Sequence, residues 1–278
     1  MQARHAGTVP PVMAHGMQRS RSSVTFIEFT MVAMNPELRG ILAALPSCEG
    51  REAAAPMLPR QCYTSAAFFE FEREAVFARN WVCVGRTDQL AGPGDAFSVT
   101  VAGEPLIVAR STAGEIRAMG AVCQHRGHVL GCTGDHPRGV IRCPLHYWTY
   151  DLDGRLIGAP RMGDALAGLR DTVRLPPVRT AQWHGFIFVN FAGNAPPLAP
   201  SLAKVEPCWQ GYPEAEMVTV PPVQATTALP WNWKIQLENF TDAYHPEFVH
   251  TGTHDFAPSI HPEGGAKSCV PVWTNSGW

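Results

Sequence analysis

Hydrophobic positions along the chain keep helical spacing in two early stretches, change to strand spacing over residues 81–192, and return to helical spacing once more near residue 231. NPELRGILAAL (35–45) predicts a short helix that Pro46 ends, followed by a linker rich in Pro and Ala to about Arg60. In TSAAFFEFEREAVFARN, Phe68, Phe71, Ala75 and Ala78 recur at helical spacing behind Thr64 or Ser65 as N-cap, predicting a helix at 65–79. From Trp81 the segments WVCVGR, AFSVTVAG, PLIVAR and IRAMG read as strands, punctuated by GPGD, GEP and AGE. WTYDLDGRLIGAP places Asp153-Gly154 between two short strands, a hairpin signal, and FIFVNF (186–191), apolar on both faces, predicts a buried strand. Residues 81–192 therefore read as a small all-β unit, an antiparallel sandwich or barrel. NAPPLAP (194–200) reads as a linker and WNWKIQLENFTDAYHPEFVH (231–250) as helical, while neither period continues beyond Pro258.

A chain of 278 residues has room for one large domain or two ordinary ones. The pattern divides it into an N-terminal extension and linker, partly disordered (1–60), the β unit with its preceding helix (61–195), and the beginning of a second domain (196–278). With 45% apolar and 17% charged residues it is globular. A formal charge of −2, with no basic block beyond QRSRSS (18–23), points away from nucleic acid and from a polybasic membrane anchor. No apolar run is long enough to span a bilayer, so the protein is expected to be soluble. Arg4, Arg19 and Arg21 precede VTFIEFTMVAM and mimic a signal peptide, but Glu28 interrupts the apolar stretch and no cleavage site follows. Residues 1–33 are read as a disordered or misassigned extension, with Met34 as the true start. Eight cysteines in a chain of this length, two of them at metal-ligand spacing, favour a reducing, cytoplasmic compartment.

The chemistry is concentrated in two short segments of the β unit, CQHRGH (123–128) and CPLHYW (143–148). Each supplies one cysteine and one histidine, as C-x-H and C-x-x-H. Four such donors could hold a tetrahedral zinc, which more often takes its cysteines from one segment and its histidines from another. They suit a two-iron cluster with inequivalent irons, Cys123 and Cys143 on one and His125 and His146 on the other. C-x-H-R-G followed by C-x-x-H-x-W resembles the Rieske [2Fe–2S] motif. In respiratory Rieske proteins a disulfide joins the two loops, where this chain has His128 and Leu145. Those proteins also place a hydroxyl donor to sulfur shortly after the second histidine, where this chain has Tyr147-Trp148, so fewer donors and a lower potential are expected. The resemblance is to the oxygenase and ferredoxin branch.

LENFTDAYHPEFVH (237–250) carries Asp242, His245 and His250 as D-x-x-H-x(4)-H. On a helix Asp242 and His245 share a face, and a bend at Pro246 would let His250 meet the same metal. With the Rieske motif upstream, the combination is similar to the α subunit of Rieske non-heme iron oxygenases, the ring-hydroxylating and quaternary-amine-oxidising family. The resemblance implies an all-β Rieske domain followed by the N-terminal part of an α+β helix-grip catalytic domain. It implies His245 and His250 as ligands of a mononuclear Fe(II), Asp242 as the link to His146 of a neighbouring subunit, and Asn239 near the iron. It further implies electrons from NAD(P)H through a separate reductase or ferredoxin, O₂ and a small organic substrate as partners, and a homotrimer. The family's third ligand is a later carboxylate. Asp255 and Glu263 are the only candidates after His250 and neither has fitting surroundings, so the chain reads as a truncated α subunit. Two alternatives stand beside the oxygenase: a Rieske-type electron carrier without oxygenase activity, and a zinc-stabilised interaction module. The remaining cysteines (48, 62, 83, 132, 208 and 269) read as core or exposed thiols, His184 as structural, and Trp231 and Trp233 as packing residues.

Overall fold

The computed structural model describes residues 35–46, 56–131, 139–209, 212–220, 230–242 and 249. The expectations for residues 1–33, Cys48, Cys132, His245, Pro246, His250, Asp255, Glu263 and Cys269 lie outside the described residues.

Helix α1 (Pro36–Ala43) starts behind Asn35, whose side chain accepts the Glu37 N–H at 2.9 Å, an N-cap worth about 1 kcal/mol. A single-turn helix α2 (Gln61–Thr64) leads into α3 (Ala66–Glu72), capped by Ser65 through the Phe68 N–H. The helix expected at 65–79 is present, but its second half, Arg73–Phe77, is a π turn closed by the Ala78 N–H on the Arg73 carbonyl. Leu38, Ile41, Cys62 and Phe68 form a small core among these helices.

The β unit holds two antiparallel sheets. Strands β1 (Val82–Arg86), β2 (Ala96–Val101), β3 (Glu104–Arg110), β4 (Ile116–Gly120), β8 (Pro177–Trp183) and β9 (Phe186–Asn190) form one, in the order β1-β9-β8-β4-β3-β2. Strands β5 (Val140–Arg142), β6 (Thr149–Asp151) and β7 (Leu156–Gly158) form the other. Alternation along β3 explains how one strand serves two cores. Leu106 and Val108 pack with Val101, Ile187 and Val189, while Ile107 and Ala109 pack with Met119, Tyr150, Leu156 and Leu175. In β9, Ile187 and Val189 are fully buried whereas Phe186 and Phe188 are half-buried, so the strand expected to be covered on both faces is closed on one.

The Asp153-Gly154 turn joins β6 to β7 as expected. The Asp151 carboxylate accepts the N–H groups of Asp153 and Arg155 at 2.9 and 2.8 Å, and Gly154 takes φ 80°, where a Cβ would be strained and would lie 3.3 Å from Leu175. Helix α4 (Ala165–Thr172) was not expected; Leu166, Leu169 and Val173 lay its apolar side on the core beside the cysteine loops. Short helices α5 (Leu198–Ser201) and α6 (Glu206–Trp209) follow, the first starting inside the expected linker. The late helical pattern is described over its first part. Helix α7 runs Trp233–Thr241, and Asp242 is its C-cap in extended conformation (φ −80°, ψ 100°). Asp242 thus stands at the end of α7 and outside its helical backbone, and His245 lies outside the described residues. Thr241 Oγ1 back-bonds to the carbonyls of Leu237 and Glu238 within the last turn, and the Asp242 N–H closes that turn on the Glu238 carbonyl at 3.0 Å. Among the described residues no helix is long and apolar enough to cross a membrane.

Candidate metal centre

The two Cys/His segments form matched fingers, one between β4 and β5 and the other between β5 and β6. In the first, the Cys123 N–H donates to the His128 carbonyl at 2.8 Å and the Gly127 N–H to the Cys123 carbonyl at 2.9 Å. In the second, Cys143 N–H bonds the Trp148 carbonyl and Tyr147 N–H the Cys143 carbonyl, at the same 2.8 and 2.9 Å. The frames are equal, so the unequal spacing puts the histidines at different corners: His125 second after its cysteine and half-buried, His146 third and exposed. Each frame needs left-handed backbone at its fifth residue. Gly127 supplies it at φ 75°, and Tyr147 adopts it at φ 59°, which costs a residue with a Cβ roughly 1–2 kcal/mol.

The fingers bring like donors together. The Cys143 thiol lies within hydrogen-bonding reach of the Cys123 thiol, and both are buried at 2% exposure. The His125 and His146 rings stand edge to face with centroids 4.7 Å apart. Among the described residues no three Cys, His, Asp or Glu side chains surround a common point as a single ion requires. Trp148 stacks on His125 at 4.7 Å and 12°. His125 Nδ1 and Trp148 Nε1 are buried without a hydrogen-bond partner. An orphaned buried ring nitrogen costs about 1–3 kcal/mol, a cost that an iron bound there removes. The donor set thus fits a two-iron cluster, with sulfur at one end and imidazole at the other.

Burial pushes the Cys123 thiol up, against the Tyr150 phenol and the His125 backbone N–H, which both favour its thiolate. Burial also pulls the His125 imidazole down, aided by the charges of His146 and Arg126, so it stays neutral as a metal ligand must. Tyr150, fully buried in β6, accepts the Gln124 N–H at 3.0 Å and lies 3.4 Å from Cys123 Sγ. Burial and the Cys123 sulfur both drive its phenol pKa upward, so the hydroxyl stays protonated and can donate to that sulfur once it is a thiolate. The expectation of fewer hydroxyl donors did not count this one, which sits at position 150. Sequence reasoning missed it because only the fold brings β6 under the first finger. Among the described residues every cysteine is a free thiol.

Residues 80–178 match the Rieske [2Fe–2S] domain, and residues 212–275 match the catalytic domain of the ring-hydroxylating α subunit. The chain belongs to the Rieske oxygenase family. The carnitine monooxygenase oxygenase subunit of Acinetobacter pittii is 32% identical over 78% of this chain and 57% of its own length. The glycine betaine monooxygenase oxygenase subunit of Pseudomonas aeruginosa is 31% identical over 70% of this chain and 46% of its own. The crystal structure of naphthalene 1,2-dioxygenase from Rhodococcus sp. superposes with a TM-score of 0.66 at 26% identity, covering 80% of this chain and 51% of that one. The chain spans about half the length of these relatives.

In this Rieske oxygenase chain the two domains imply a [2Fe–2S] cluster and a mononuclear iron. Asn239 is exposed on α7 and Asp242 is exposed at its end, whereas His245 and His250 lie outside the described residues. The structure therefore brings Cys123, His125, Cys143 and His146 together and leaves the second iron site as a sequence motif. Trp233 packs against Phe77, as expected of it, while Trp231 is 48% exposed.

Proposed function

We propose that Cys123 and Cys143 hold one iron of a Rieske cluster and His125 and His146 the other, and that the chain is the terminal oxygenase component of a multi-protein system. Neutral imidazoles in place of two thiolates leave such a cluster less negative and easier to reduce than one held by four cysteines. His146, exposed at the lip of its finger, is the exit for an electron supplied by a reductase or ferredoxin. Asp242 of a neighbouring subunit in a trimer would accept a hydrogen bond from its free ring nitrogen, and His245 and His250 would hold Fe(II). The Rieske cluster supplies single electrons, and the Fe(II) site supplies O₂ activation for hydroxylation or oxidative demethylation. Carnitine and glycine betaine in the names of two relatives make trimethylammonium compounds the first substrates to assay.

The observation that carries this reading is the segregation of thiols from imidazoles around the buried, unpartnered His125 Nδ1. Iron and acid-labile sulfide with a rhombic, low-g EPR signal after reduction support it, and zinc alone in the purified protein refutes it. Oxygen uptake coupled to product formation, with a reductase supplied, distinguishes an oxygenase from an electron carrier. Cys143→Ser is expected to abolish the visible cluster spectrum, and a native spectrum in that variant removes Cys143 from the ligand set.

A further inference from the structure

Glu72 and Lys234 form an ion pair with Oε1 and Nζ 2.5 Å apart and side chains only 6% and 10% exposed. Lys234 is the second residue of α7, and its ammonium also lies over the rings of Tyr63, Phe68 and Trp233 at 5.5, 5.4 and 5.2 Å. Trp233 Nε1 donates to the other Glu72 oxygen at 3.2 Å, and its ring meets Phe77 edge-on at 5.1 Å. Glu72 and Phe77 are five residues apart. On an α-helix they would point about 140° away from each other. The π turn Arg73–Phe77 inserts the extra residue that brings both onto Trp233.

The same turn secures the opposite side of the helix. Arg73 donates through Nε and Nη2 to the Ala102 carbonyl at 2.9 and 2.6 Å, in the β2–β3 turn. Ala102 is held at φ 52°, and a side chain at Gly103 would collide with the Arg73 guanidinium. Asn190 of β9 holds the end of the helix by donating to the carbonyls of Arg79 and Asn80. Adjacent residues 72 and 73 thus grip two different bodies, α7 and the β unit.

We propose that the helix from Ala66 to Phe77 is a strut whose π turn sets the direction of α7 relative to the Rieske fold, with Glu72 as a positioning residue acting through Lys234 and Trp233. Its consequence for catalysis rests on the oxygenase reading: α7 ends in Asp242 and leads to the His245 and His250 motif, so the strut fixes where that motif starts. A buried ion pair adds little net stability over an apolar pair of similar volume, which leaves orientation as its contribution.

The test measures the distance between nitroxides carried on non-natural side chains at Gln182 in β8 and Ile235 in α7, by pulsed EPR on the full chain. A single narrow distance is expected in the parent protein, with a distribution roughly doubled in width in Glu72→Gln, where one buried charge has lost its partner. Should Glu72→Gln fail to fold, Glu72→Met combined with Lys234→Met decides the matter, since an apolar pair restores packing but not the directed bonds. A broad distribution in that folded double variant supports the strut, and a parental distance overturns it. Deletion of Val76, which converts the π turn to an α turn, is expected to displace the distance; an unmoved distance overturns the proposal as well. Iron and sulfide analysis of the same samples reports on the cluster separately, so a failed cluster assignment cannot be mistaken for a failed strut.

Discussion

The phenol of Tyr150 lies 3.4 Å from the sulfur of Cys123 and is tethered there by the Gln124 backbone N–H. A hydroxyl aimed at a cysteine sulfur stabilises the reduced cluster, the more negative state, more than the oxidised one. Tyr150→Phe is expected to lower the cluster potential by about 40 mV, the equivalent of ~1 kcal/mol for one electron. Protein-film voltammetry measures it, and an unchanged potential would mean that the phenol serves packing alone.

Tyr147 occupies a left-handed position that its partner finger gives to Gly127. The Arg142 guanidinium, 5.9 Å from its ring centre, offsets little of that strain. Tyr147→Gly relieves the strain but frees the unfolded chain, so a net gain of about 0.5–1 kcal/mol is expected in urea unfolding. A loss of stability in that variant would show that the exposed ring does more for the finger than the strain costs.

His184, also left-handed at φ 47°, holds the segment that leaves the β unit. Its Nε2 lies 2.8 Å from Glu206 and its Nδ1 pairs with Glu214. Burial pulls the imidazole pKa down, but the Glu206 hydrogen bond and both carboxylate charges outweigh it, and the net shift is upward from 6.5. A raised folded-state value means that these pairs contribute fully below pH 6.5 and are lost as pH rises through it. Glu206, held low first by His184 and then by Trp183, fails only in acid. Amide exchange of residues 206–209 and 212–216, corrected for the intrinsic rate, is expected to quicken as pH rises above 6.5, and His184→Gln is expected to flatten that dependence. Equal protection at all pH values in the parent chain would exclude the pairing from any such role.

Asp242→Ala is expected to leave the cluster spectrum intact while slowing electron delivery to the second iron about 10–100-fold in single-turnover experiments on a catalytically complete form. Its exposed position at the end of α7 leaves it accessible to a neighbouring subunit. Unchanged single-turnover rates would remove it from the relay.

Much of the site was legible because its donors are close in sequence. Cys123 with His125 and Cys143 with His146 are local pairs, and strand periodicity around them already implied loops on a β scaffold. Helix α4 escaped because eight residues carry too few apolar positions to establish a period, although Leu166, Leu169 and Val173 stand at i, i+3 and i+7. The end of α7 at Thr241 was not legible because the apolar pattern runs on past it, whereas Asp242 turns to extended backbone.

The sequence by itself determined the kind of fold and pointed to a Rieske chemistry and to four residues proposed to carry it, since ligand type, spacing and alternation are local properties of the chain. Only the tertiary structure decided which donors face each other, that Tyr150 reaches Cys123, that His184 sits between two carboxylates, and that Glu72 meets Lys234 across 162 positions. Those relations depend on where separate elements cross once apolar faces have been buried. Nothing in the local pattern encodes such crossings, because burial is non-directional and it is packing geometry that selects the neighbours.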